Sequence, residues 1–169
     1  MKHSELKAEV VLINNSEVCS VKVINSIDEY FKWKDISEFL RPTLRIDLSN
    51  VGRITSMGIR EWAQRPACPF PGRKTSLINA PDCFIREGFM VPVLMTGTEL
   101  ESFELQYQCE GSSQHDCTFH FDVNDEHFRD YVDRISKYIC EEDGCGSHID
   151  GLQNKMLFEF IEKHLLAVR

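Results

Sequence analysis

Two short β-branched runs, residues 9–13 (EVVLI) and 20–24 (SVKVI), flank the turn-like stretch NNSEV and predict a strand pair. Ser26-Ile27-Asp28-Glu29 then fits a capping box. Behind it Tyr30, Trp33, Ile36, Phe39 and Leu40 recur at helical spacing, predicting a helix to about Leu40 that Pro42 stops. Residues 43–48 alternate and predict a central strand ending near Asp47. A short polar turn then leads to a helix over 56–63 with Ile59 and Trp62 inward. CPFPGR punctuates the chain, residues 75–79 (TSLIN) predict another strand, and Pro81-Asp82 opens a helix carrying Phe84, Ile85 and Phe89.

The pattern changes after Met90. VPVLMTG is a short apolar link, and residues 99–107 and 117–123 alternate as an antiparallel pair joined by the loop CEGSSQHD. Residues 125–139 carry Phe128, Tyr131, Val132, Ile135, Tyr138 and Ile139 on one helical face. A loop rich in acids and glycine follows. A last helix from about Leu152 then carries Met156, Leu157, Phe160, Ile161 and Leu165. The expected fold class is α/β, a mixed sheet with helices (residues 1–97), followed by a small acidic α+β module (residues 98–169).

Charge sharpens that division. Residues 1–97 hold 13 Lys and Arg against 11 Asp and Glu, a net of +2, whereas residues 98–169 hold 6 against 16, a net of −10. The acidic part would repel phosphates, which argues against nucleic-acid binding; it is either a well-solvated face or a docking surface. No apolar run reaches the roughly 18 residues of a membrane span. The first residues, MKHSELKAEV, lack the apolar stretch of a signal peptide. A cytoplasmic location is therefore expected, where the seven cysteines are thiols or metal ligands rather than disulfides.

Chemistry concentrates around Ser56. A serine at a helix start meets backbone N–H groups and the positive end of the dipole, so it serves either as an ordinary N-cap or as a phospho-acceptor. The arrangement strand–Asp47-Leu48-Ser49–turn–Ile54-Thr55-Ser56-Met57-Gly58–helix resembles the STAS domain, the anti-sigma-factor-antagonist fold. VKVINSIDEYF is similar to that family's second strand and the loop after it, and the element order agrees over about residues 6–95. The resemblance implies a STAS-like mixed sheet and regulation through protein–protein interaction, without catalysis. A serine kinase of the anti-sigma type would phosphorylate Ser56. Gly58 would permit close approach, and Thr55, Asp47, Ser49 and Asn50 would lie near the same rim. Thr55 stands where an acidic or amide residue is usual, and Met57 where serine often stands.

The C-terminal part is similar to the zinc-ribbon-like extension of some STAS-like bacterial proteins. Cys109 and Cys117 are eight positions apart, Cys140 and Cys145 five, and Ser112 stands where the first knuckle would have its second cysteine. Tetrahedral zinc commonly takes C-x2–4-C pairs, which the second pair approaches and the first does not without a wider loop or His115. Two alternatives follow: a zinc-stabilised adaptor using Cys109, Cys117, Cys140 and Cys145, or an eroded ribbon held by packing. Cys83, at a helix start where a dipole can lower a thiol pKa, is the one nucleophile candidate for a hydrolase or transferase; no base is adjacent in sequence. It reads better as a small buried residue. His120 and His127 read as solvated or hydrogen-bonded, Trp33 and Trp62 as core, and Cys19 and Cys68 carry no signal.

Overall fold

The computed structural model describes residues 8–13, 17–36, 41–65, 74–108, 116–128, 130 and 151–167. The first strand, β1 (Ala8–Ile13), pairs antiparallel with β2 (Val18–Ile27), as the two β-branched runs require. Then β3 (Thr43–Ile54), α1 (Ser56–Ala63), β4 (Lys74–Ile78), α2 (Asp82–Met90) and β5 (Glu99–Leu100) follow in order. The five strands form one sheet in the order β1-β2-β3-β4-β5, in which β2 to β5 run parallel. This is a mixed α/β architecture. Because each crossover steps the same way across the sheet, the right-handed rule puts α1 and α2 on one face. A separate hairpin of β6 (Ser102–Gln108) and β7 (Asp116–Asp122) and a terminal helix, α3 (Gly151–Ala167), complete the described chain.

The helix expected from Ser26 is replaced by strand and turn. Ser26 and Ile27 pair with Arg53 and Ile54, so the supposed cap lies inside the parallel ladder. The Asp28 carboxylate accepts bonds from the Ser26 hydroxyl and the Tyr30 N–H, an Asx-type turn that competes with helix initiation. Among the described residues one 3₁₀ turn follows, Trp33–Asp35, and Phe31 rather than Tyr30 is buried. Phe39 and Leu40 lie outside the described residues.

The other large departure is in β3, which does not end at Asp47 but runs twelve residues to Ile54. Its buried positions are Leu44, Ile46 and Leu48, then Val51 after a step of three. Ladder register slips between Lys22 and Ile24 and again between Asn25 and Ser26, so two β3 residues are bulged against β2. Asn25 takes up one of these irregularities with φ of 67°. The polar SNVGR stretch is bulged strand, not turn.

Past Met90, Leu94 and Met95 are buried beneath a 3₁₀ turn, Pro92–Leu94. The alternating run 99–107 divides at Glu101: β5 pairs with β4, and β6 pairs with β7. Residues 123–127 form turns where the 125–139 helix was expected to begin, and most of that expected helix lies outside the described residues. In α3, Leu157 and Ile161 are buried as expected; Met156 is exposed and Phe158 takes a core position instead.

Two aromatic groups anchor one continuous apolar core. Phe31, Trp33, Trp62 and Phe84 stack edge and tilt, with centroids 5.1–5.6 Å apart. Both indoles are satisfied: Trp33 Nε1 donates to the Trp62 carbonyl and Trp62 Nε1 to that of Leu94. Phe103 stacks on Phe121 at 4.6 Å, with Phe128 and Phe158 around them. Contacts cross residue 97: β5 joins the sheet, Ala80 bridges to Phe103, and Phe89 of α2 meets Phe160 of α3.

Candidate functional site

The start of α1 is built by β2 and β3 together. Thr55 has extended backbone, and its Oγ1 accepts the Gly58 N–H at 3.0 Å; Thr55, not Ser56, is the N-cap. The Thr55 N–H in turn donates to the Ile27 carbonyl at 3.0 Å. A Cβ on Gly58 would stand 1.9 Å from that same carbonyl oxygen and 2.7 Å from the Asp28 nitrogen. The helix therefore presses backbone to backbone on the end of β2, and only glycine fits. Ser56 and Met57, first and second in α1, are exposed. Tyr30, two residues beyond the Asp28 contact, is 66% exposed and Met57 45% exposed. Lys32 pairs with Glu61 at 2.6 Å, tying the β2–β3 connection to α1.

Asp47, Ser49 and Asn50 do not share this helix start. Along the ladder to Ile54, roughly 10 Å of strand separates Asn50 from the start of α1 and roughly 17 Å separates Asp47 from it. They instead border a second feature, a cleft of about 350 Å³ at the carboxyl end of β4. There β4 stops at Ile78, while β3 runs on to Ile54 and the β5–β6 segment to Gln108. The walls are Ser49 to Gly52 of β3, Pro81 to Cys83 at the start of α2, and Glu104 and Gln106 of β6.

Side chains hold several backbone groups around this cleft. Asp47 Oδ1 accepts the Ser49 N–H at 2.9 Å and the Asn79 amide at 3.2 Å; Asn79 itself has φ of 52°. Partial burial pushes the Asp47 carboxyl up. The Ser49 and Asn79 hydrogen bonds and the Lys22 charge outweigh it, and hold the carboxyl below its ordinary range. Asp82 takes both of its oxygens to Arg86 Nε, at 2.9 and 2.7 Å, and also accepts the Gln106 N–H at 3.0 Å. Arg86 continues to the Gln106 carbonyl and lies over the Tyr107 ring at 5.7 Å. The Tyr107 hydroxyl is buried with no hydrogen-bond partner among the described residues. Burial pushes it up to about 12.

Cys83 is half-buried, its thiol 3.5 Å from the Val51 carbonyl. Burial and the Asp82 and Glu104 carboxylates raise its pKa over the lowering by backbone N–H groups, so the helix start does not activate it. His120 and His127 are exposed; each has a carboxylate near, Glu104 at 3.6 Å from His120, and Glu126 and Asp130 at 3.5 and 3.8 Å from His127. Cys19 is buried in β2, and Cys117 is half-buried on β7. Cys109, His115, Cys140, Cys145 and Cys68 lie outside the described residues, and no cluster of three His, Cys, Asp or Glu suited to a metal occurs among the described ones. No described helix is long and apolar enough to cross a membrane.

The sequence pointed to Ser56, Gly58 and Thr55, and to Asp47, Ser49 and Asn50 only as part of the same rim; it gave no signal that Ser49 and Asn50 border a cleft, whose walls come from three segments near positions 50, 82 and 105. Comparison of the chain with models of known protein families, with curated protein sequences and with solved structures finds no significant match in any of the three.

Proposed function

We propose that the chain is a regulatory protein–protein interaction module of the anti-sigma-factor-antagonist (STAS) kind, which binds a protein partner at the start of α1 and does no chemistry of its own. The observation that carries this reading is the division of labour in the first turn. Thr55 caps and Gly58 docks, which leaves the exposed Ser56 hydroxyl unneeded for either task. The first turn holds no acidic residue, and exposed Arg60 stands four positions on. A phosphate on Ser56 would add nearly two negative charges where the helix dipole and Arg60 favour them. Exposed Tyr30 and Met57 would supply the apolar part of the contact, and a phosphate beside them would change it.

The test has two arms. Incubation with an anti-sigma-type serine kinase of the same genome and ATP is expected to put one phosphate on Ser56, read by mass spectrometry. A photo-crosslinker replacing Met57 is expected to capture one protein partner in cells, with the yield changed several-fold by Ser56→Asp. A crosslinker at Met57 that captures nothing, while one on a distant face such as Lys155 does, overturns the docking site. Phosphate on other residues alone overturns the switch.

A further inference from the structure

The cleft at the carboxyl end of β4 is separate from the α1 surface and owes nothing to the reading above. Open parallel sheets place their ligands outside the carboxyl ends of strands, and about 350 Å³ falls within the range of small-molecule sites, roughly 300–1,000 Å³. Its polar groups sort into two sets. Asp82 is consumed by Arg86 and the Gln106 N–H, and the Cys83 thiol lies on the Val51 carbonyl. Asn50, Glu104 and the Gln106 side chain border the space with their polar ends uncommitted to such bonds, apart from His120 at 3.6 Å from Glu104.

The charge balance selects the ligand. Two carboxylates, Asp82 and Glu104, border the cleft, and no Lys or Arg is among its described lining residues. Arg86 neutralises the first of the two. The start of α2 attracts negative charge, and Asp82 in its first turn already supplies it. An anion entering here would meet Glu104 without a cation to offset it. A cation would meet a carboxylate flanked by two amide groups.

We propose that this cleft binds a small guanidinium or primary ammonium group, with Glu104 as counter-ion and the Asn50 and Gln106 side-chain amides as hydrogen-bond partners. The group is carried either by a free small molecule or by an arginine or lysine side chain of a protein partner. Amide chemical shifts of the labelled full chain, titrated with methylguanidinium, n-butylamine, N-acetyl-arginine-N-methylamide and inorganic phosphate, test it. Saturable shifts at Gly52, Cys83 and Gln106 with the first two identify the free-molecule source; shifts with the capped arginine alone identify a side-chain source. In either case Glu104→Gln is expected to weaken binding about tenfold, and Asn50→Asp, on an exposed residue, to tighten it several-fold. Shifts with phosphate instead, no shifts with any cation, or cation binding indifferent to both substitutions would overturn the proposal.

Discussion

At Thr55 and Ser56 two adjacent hydroxyls have different duties, and only the direction of the chain into α1 separates them. Because Thr55 Oγ1 holds the Gly58 N–H, Thr55→Ala is expected to cost about 1 kcal/mol in urea unfolding, whereas Ser56→Ala should stay within about 0.5. Equal losses would mean that the cap is shared. Asp47 and Tyr107 make opposite statements about pH. The folded Asp47 carboxyl titrates below its ordinary 3.8, so its contribution is present above that value and drains as pH falls through the folded pKa. Asp47→Asn should flatten the acid limb of a stability–pH curve. For Tyr107 the folded value rises from 10 to about 12, so stability is intact below pH 10 and declines as pH climbs toward 12. Tyr107→Phe should remove that alkaline decline and leave neutral stability unchanged or raised by up to about 1 kcal/mol, since the hydroxyl lost is unpartnered among the described residues.

At the scale of elements, β3 explains why the site was half legible. Leu44, Ile46 and Leu48 alternate, and the alternation that predicts a strand then breaks. The steps of three from Leu48 to Val51 and from Val51 to Ile54 are the marks of two bulges. A single sequence gives such steps the look of a turn, because polar SNVGR has the composition of one. The same local ambiguity misled at Ser26, where a capping-box spacing lies inside a ladder. By contrast α1 and the opening of α2 were legible, their apolar spacing and their breakers agreeing, although the cap of α1 falls on Thr55 rather than on Ser56. Their docking was not: Gly58 was marked for close approach only through the family resemblance, and its opposing surface, the Ile27 carbonyl, is 31 positions away. Gly58→Ala should therefore cost about 3 kcal/mol in chemical denaturation, well above the roughly 1 kcal/mol gain that helix propensity alone would give.

In the molecule as a whole, the charge boundary near residue 97 does not coincide with a gap in the packing. The apolar core runs from Cys19 to Ile161, through Phe84 and Leu100 to Phe121 and Phe158. Tryptophan emission, which reports Trp33 and Trp62, and a fluorophore on β7 are therefore expected to lose their folded signals in one coincident transition. Midpoints that separate would show two units unfolding independently. By itself the sequence determined what depends on near neighbours: the strand pair at the start, the helices α1 and α2, the strand β4, the alternation of β6 and β7, and many of the buried apolar side chains, though not Tyr30 and Met156, whose places in the core go to Phe31 and Phe158. Side-chain periodicity and capping act over a few residues and are readable there. Only the tertiary structure decided what long-range pairing imposes. Pairing with β2 continues along β3 past its bulges, so Asp47, Ser49 and Asn50 are carried away from Ser56. The early stop of β4 beside two longer strands then opens a cleft there, whose Glu104 and Gln106 come from more than fifty residues along the chain.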